Sequence, residues 1–76
     1  MFGYLSKKKR EEILKRIVVC QIIAFEYIKD PEAYTKMTEN LAFVSFDVGG
    51  FKGCTKVQNI FSNYVFSKSY EETKND

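Results

Sequence analysis

Residues 6–30, SKKKREEILKRIVVCQIIAFEYIKD, begin with the spacing of a two-faced helix and end apolar on almost every side. At about 100° per residue, Ile13, Leu14, Ile17, Val18, Ile22, Ala24, Phe25 and Ile28 share one broad arc, while Val19 and Ile23 point out of the opposite side. A helix apolar all round needs neighbours all round. The pattern therefore predicts a central N-terminal helix sheathed by the rest of the chain, and by a second chain where the first runs out. Ser6 is placed to cap this helix and Leu5 to staple onto its first turn. Lys7, Lys8 and Lys9 then fall at the positive end of the helix dipole, a misfit that favours a start nearer Glu11.

Asp30-Pro31-Glu32 marks the clearest boundary: Pro31 stops the first helix, and the triplet supplies cap, first residue and an acidic second residue for another. Ala33, Tyr34, Met37, Leu41 and Val44 follow on one helical arc, with Phe43 and Phe46 off it. From Leu41 the residues also alternate as a strand would, with Ala42, Val44, Phe46 and Val48 on one face. A hairpin over residues 41–66 is thus the rival to a helix. Asp47 to Gly53, DVGGFKG, reads as a loop in which Gly49 and Gly50 end the second helix in a left-handed turn. Val57, Ile60, Phe61, Tyr64 and Val65 lie opposite Thr55, Asn59 and Ser62 on a third amphipathic helix running to about Ser67. The expected fold is all-α, one domain over residues 1–76 built as a small three-helix bundle around the N-terminal helix. Residues 1–5 and 71–76 are read as a frayed arm and tail.

At 76 residues, folding buries only about 60% of the unfolded chain's surface, so a partner or a staple would help. Hydrophobic residues are 45% of the chain and Phe plus Tyr 16%, more than so small a core needs. The excess points to an interface. Phe2 and Tyr4 before the first helix, Phe43 and Phe46 in the second segment, and Phe51, Phe66 and Tyr70 beyond it all fall outside the core stripes. These seven rings are the candidate protein-binding residues, since aromatic anchors dominate interface energies.

The net charge of +2 is too small to imply nucleic acid, but it is unevenly spread. Residues 1–16 carry Lys7, Lys8, Lys9, Arg10, Lys15 and Arg16 against Glu11 and Glu12, whereas residues 17–50 carry two lysines against five carboxylates. The alternative function is accordingly a helix-turn-helix-like nucleic-acid-binding regulator. Its third segment would offer Thr55, Lys56, Gln58, Asn59 and Asn63 to base edges, and Lys7, Lys8, Lys9, Arg10 and Lys52 would lie on phosphates. The seven-residue loop exceeds the roughly 3–4 residues usual in that motif. A further alternative lays MFGYLSKKKR on an anionic membrane surface.

Catalytic chemistry is poorly provided for. The chain has no histidine, which removes Ser-His-Asp triads, Cys-His pairs and the commonest metal ligand together. Cys20 and Cys54 alone cannot close a zinc site and fit no disulfide framework; both are read as reduced, Cys20 as a small hydrophobe, with a bridge between them as the alternative. Glu26 and Asp30 stand one turn apart, an arrangement that can raise one carboxyl pKa, but surface solvation is the ordinary reading. GGFKGCTK departs from a phosphate-binding loop in spacing and in the position of its lysine. Ile17 to Phe25 is far short of the roughly 20 residues that span a bilayer. The sequence thus reads as a cytoplasmic, non-enzymatic protein-binding module, a stoichiometric regulator or inhibitor, alone or as a homodimer, with no cofactor, metal, membrane span or small-molecule substrate.

Overall fold

The computed structural model describes residues 5–75, with side chains described through Glu71. Two helices build it: α1, Lys7–Tyr27, and α2, Pro31–Asn75. No strand occurs among the described residues, so the fold is all-α and the hairpin over residues 41–66 does not form. The alternation at residues 41–48 is overridden because those residues continue a helix already capped and started at Pro31, in which Ser45 and Val48, three apart, face inward together.

Local chemistry fixes both starts. The Ser6 hydroxyl accepts the Lys9 N–H at 3.2 Å, and the Ser6 carbonyl accepts the Arg10 N–H at 3.0 Å. Helix α1 therefore begins at Lys7 rather than near Glu11: the Ser6 cap satisfies the first-turn N–H groups although three lysines stand at the positive end of the dipole. At the other boundary, Asp30 Oδ2 accepts the Ala33 N–H at 3.3 Å, and Pro31 opens α2 where its missing N–H costs nothing.

The expected loop over residues 47–53 is absent. α2 passes through it with one non-helical residue, Gly50, at φ 68° and ψ −162°. That backbone region is essentially restricted to glycine. One residue is enough to turn the chain back on itself. In an unbroken helix Tyr34 and Val65 would stand roughly 45 Å apart at 1.5 Å per residue. Instead both line one groove of about 420 Å³ with Phe25, Phe61 and Phe66, and Cys54 Sγ lies 3.8 Å from the Ala42 carbonyl. The first arm of α2, residues 31–49, thus runs antiparallel to the second, residues 51–75, and α1 packs against both. The second arm extends well past Ser67, to Asn75.

The core is small: Leu14, Ile17, Val18, Ala24, Val48 and Val57, with Ile13, Ile22 and Leu41 packed against it. Its tightest contact is at the turn. A Cβ placed on Gly49 would lie 2.9 Å from Leu14 Cδ1, and one on Gly53 would lie 3.2 Å from the same atom. Leu14 is therefore a knob seated in a notch made by two glycines on either side of the break. Ser45 is fully buried beside it, tolerated because its hydroxyl donates to the Ala42 carbonyl at 2.8 Å.

Two core expectations are corrected. α1 is not sheathed: Val19, Ile23 and Tyr27 are each more than half exposed, and Cys20, expected inside, is exposed too. On the first arm, Ala33, Met37 and Val44 face solvent, and the buried line runs through Leu41, Ser45 and Val48. Close approach of helices selects small residues at the seam, which rotates the arm away from its largest side chains.

The two kinds of glycine should separate in a mutant cycle followed by urea unfolding. Gly50→Ala should cost about 1–3 kcal/mol whether Leu14 is present or replaced by Ala, because its cost is backbone strain. In the native chain Gly49→Ala must displace the Leu14 methyl, which offsets its gain in helix propensity. Yet it should be neutral or stabilising in Leu14→Ala, where the clash is gone and Ala gains about 1 kcal/mol of helix propensity over Gly. Equal effects of Gly49→Ala in both backgrounds would contradict the knob-and-notch packing.

Candidate functional site

Helix α1 is held at two levels. Leu14 meets Gly49 and Gly53 near the turn, and eleven residues further along each helix Phe25 meets Tyr64. Equal spacing on both partners means that α1 and the second arm run parallel and in step. At this far level the Phe25 ring stands edge-on to Phe61 and Tyr64, with centroids 6.1 and 6.2 Å apart. Beside it the Tyr64 hydroxyl donates to Glu26 Oε1 at 2.5 Å, and Lys68 Nζ lies 3.2 Å from the same oxygen. The Tyr64 hydrogen bond, with help from Lys68, holds the Glu26 carboxyl below the usual carboxylate range; the same bond pushes the Tyr64 phenol up. Glu26 is thus an ionised clamp, not one half of a carboxyl pair with Asp30, whose side chain caps α2. Nothing in the sequence marks this trio, because its members are 38 and 42 residues apart.

Among the candidate protein-binding rings, Phe2 and Tyr4 lie outside the described residues. Phe43, Phe46, Phe51, Phe66 and Tyr70 are all exposed, from 52% to 76%. They form two groups rather than one patch. Phe43, Phe46 and Phe51 surround the Gly50 turn, while Phe66 and Tyr70 sit about four turns away, roughly 22 Å along the second arm. Between them the outer face of that arm carries Thr55, Lys56, Asn59 and Asn63, which with Phe51 and Ile60 line a shallow depression of about 440 Å³.

The candidate nucleic-acid residues are also brought together in part. Lys7, Lys8 and Lys9 are exposed, Arg10 is half-buried, and the Leu14 contacts place this segment at the same end of the molecule as Lys52. Lys52, Lys56 and Asn59 share the exposed face of the second arm. Gln58 does not: it is half-buried, its Nε2 enclosed and without a hydrogen-bond partner. The one-residue break at Gly50 also replaces the turn a helix-turn-helix would need.

Sequence patterning missed a third surface. Cys20, Ile23, Ala24, Tyr27 and Ile28 of α1 and Met37 of the first arm line a groove of about 200 Å³ with almost no polar wall. The off-arc positions of Val19 and Ile23 are the available signal; Met37 lies on the arc expected to face inward, and Tyr27 belongs to neither pattern. Both cysteines are unbridged. No group of three or more His, Cys, Asp or Glu among the described residues could hold a metal ion. No helix among them is long and apolar enough to cross a membrane. No family model, no curated protein and no solved structure matches the chain.

The clamp predicts a pH signature. A depressed Glu26 pKa contributes stability that is present above the ordinary carboxylate value and is lost as pH falls through the folded one; a raised Tyr64 pKa contributes stability present below about 10 and lost as pH climbs through the folded value. Tyr64→Phe should lower Tm by a constant amount between about pH 5 and 9, and the gap should close at either extreme. A gap unchanged down to about pH 3 would show that Glu26 gains nothing from Tyr64.

Proposed function

We propose that the chain is a non-enzymatic protein-binding module of the cytoplasm, a stoichiometric regulator or inhibitor whose three helical segments pack as a small bundle and present aromatic side chains to a larger protein. One observation carries the reading: among the described residues, large hydrophobic side chains are exposed at eleven positions, whereas the buried apolar core has six members. Rings at 52–76% exposure have apolar area available for a partner. The spacing of the two ring groups suits a partner that lies along the second arm, anchored at both ends with polar contacts to Thr55, Asn59 and Asn63 between.

Photo-crosslinking residues placed at Phe51 and at Phe66 should capture the same protein in cells of the native source. Phe51→Ala and Phe66→Ala should each weaken binding of that protein about tenfold or more, the effect of losing a buried aromatic anchor. Different proteins at the two positions, or affinity unchanged by both substitutions, would refute the reading.

A second reading has one observation in its favour, the gathering of Lys7, Lys8, Lys9, Lys52 and Lys56 toward one end of the molecule. There the chain would hold a nucleic-acid backbone rather than read bases, since Gln58 is turned inward. Gel retardation of duplex DNA or RNA at low salt, abolished by Lys52→Glu, would support it; no retardation at low salt would remove it.

A further inference from the structure

Among the described residues, nothing covers the outward face of α1. Val19, Ile23 and Tyr27, spaced four apart, form one stripe opposite the core; Met37 and Val44 extend it onto the first arm, and all five are 41–77% exposed. They bring on the order of 400–500 Å² of apolar surface into contact range, taking the area of large side chains as the scale. Two such faces pressed together would remove about 800–1,000 Å² from water, at the lower bound of a specific interface. The 3–4 spacing of Cys20, Ile23 and Tyr27 is that of a coiled-coil seam, and the groove between Ile23, Tyr27 and Met37 is shaped to take an incoming side chain.

Charge tells which occupant fits. At the Gly50 end, Lys7, Lys8, Lys9, Arg10, Lys15, Arg16, Lys52 and Lys56 face only Glu11, Glu12 and Asp47 as acidic company. At the opposite end, Glu26, Asp30, Glu32, Glu39 and Glu71 outnumber Lys29, Lys36 and Lys68. The apolar stripe lies midway. A second copy laid antiparallel on it sets the basic end of each chain against the acidic end of the other, whereas a parallel copy sets like against like.

We infer that the chain pairs with a second copy of itself, α1 against α1, antiparallel, about a two-fold axis at Ile23. In that register Ile23 meets Ile23 of the second copy once, on the axis, and Val19 meets Tyr27 twice, on either side of it; exposed Arg16 lies just outside the apolar stripe, toward the Asp30 end of the second copy. The stripe and Arg16 share one side of α1, and the symmetric register uses every apolar member of the α1 stripe. The face is separate from the rings at Phe51 and Phe66, so pairing can fail while a partner still binds those rings, and the reverse.

Light scattering on the full chain should give twice the 8.9 kDa chain mass. Ile23→Asp should give the single-chain mass with the same helical circular dichroism, which separates loss of pairing from loss of folding. With Cys20→Ser and Cys54→Ser as background, Ile23→Cys should oxidise to a covalent dimer, and a mixture of Val19→Cys and Tyr27→Cys chains should cross-link to each other. Val19→Cys alone should not, because the two copies of position 19 lie about 12 Å apart along the helices, beyond disulfide reach. A single-chain mass at the highest attainable concentration, a dimer that survives Ile23→Asp, or cross-linking of Val19→Cys alone as readily as Ile23→Cys would each overturn the inference.

Discussion

Leu14 seated between Gly49 and Gly53 is the contact on which the rest of the molecule depends. A side chain at either glycine would displace the Leu14 methyl that fills the notch, which lies 2.9 Å and 3.2 Å from where their Cβ atoms would stand. Because the helices touch there, a single residue in a glycine-only conformation suffices to fold α2 back on itself. That reversal brings the second arm parallel to α1 and in step with it. The step delivers Tyr64 to Phe25 and Glu26 at the far end, so the glycine notch and the ionised clamp are two ends of one register.

Tight packing at the seam also decides what is left outside. With Ser45, Val48 and two glycines lining it, the first arm meets its neighbours through small side chains, and Met37, Phe43, Val44 and Phe46 are turned to solvent. The chain holds itself together by close approach of a few residues, not by burying its largest ones. Its oily surplus is therefore sorted into two places: rings around the turn and along the second arm, and a stripe of Val19, Ile23 and Tyr27 on the back of α1. The first suits an anchored protein partner. The second, flanked by a basic and an acidic end, is the face we propose pairs with its own copy.

How much of this could be read from the residues follows from the range of each interaction. Ser6 and Asp30-Pro31 were legible because a cap is satisfied within three residues. Gly50 was half legible: a left-handed turn was expected there, but within a seven-residue loop, since the sequence does not say that one residue suffices until Leu14 is known to fill the notch. The inward faces were legible where burial follows size, as at Leu14, Ile17 and Val57, and misread where it follows smallness, as at Ser45. The exposed rings were found by elimination from the helical arcs. The clamp of Glu26, Tyr64 and Lys68 was invisible, because only the register set from the other end brings those residues together.

The fold-back at Gly50 can be measured directly as a distance between spin labels at Lys36→Cys and Asn63→Cys, both exposed sites, in a chain with Cys20 and Cys54 replaced by Ser. Two arms packed side by side, with axes about 8–10 Å apart, should give a narrow distribution near 20 Å once the label arms are included. A distribution centred near 40 Å, the span of 27 residues of uninterrupted helix, would contradict the turn and with it the register of everything beyond.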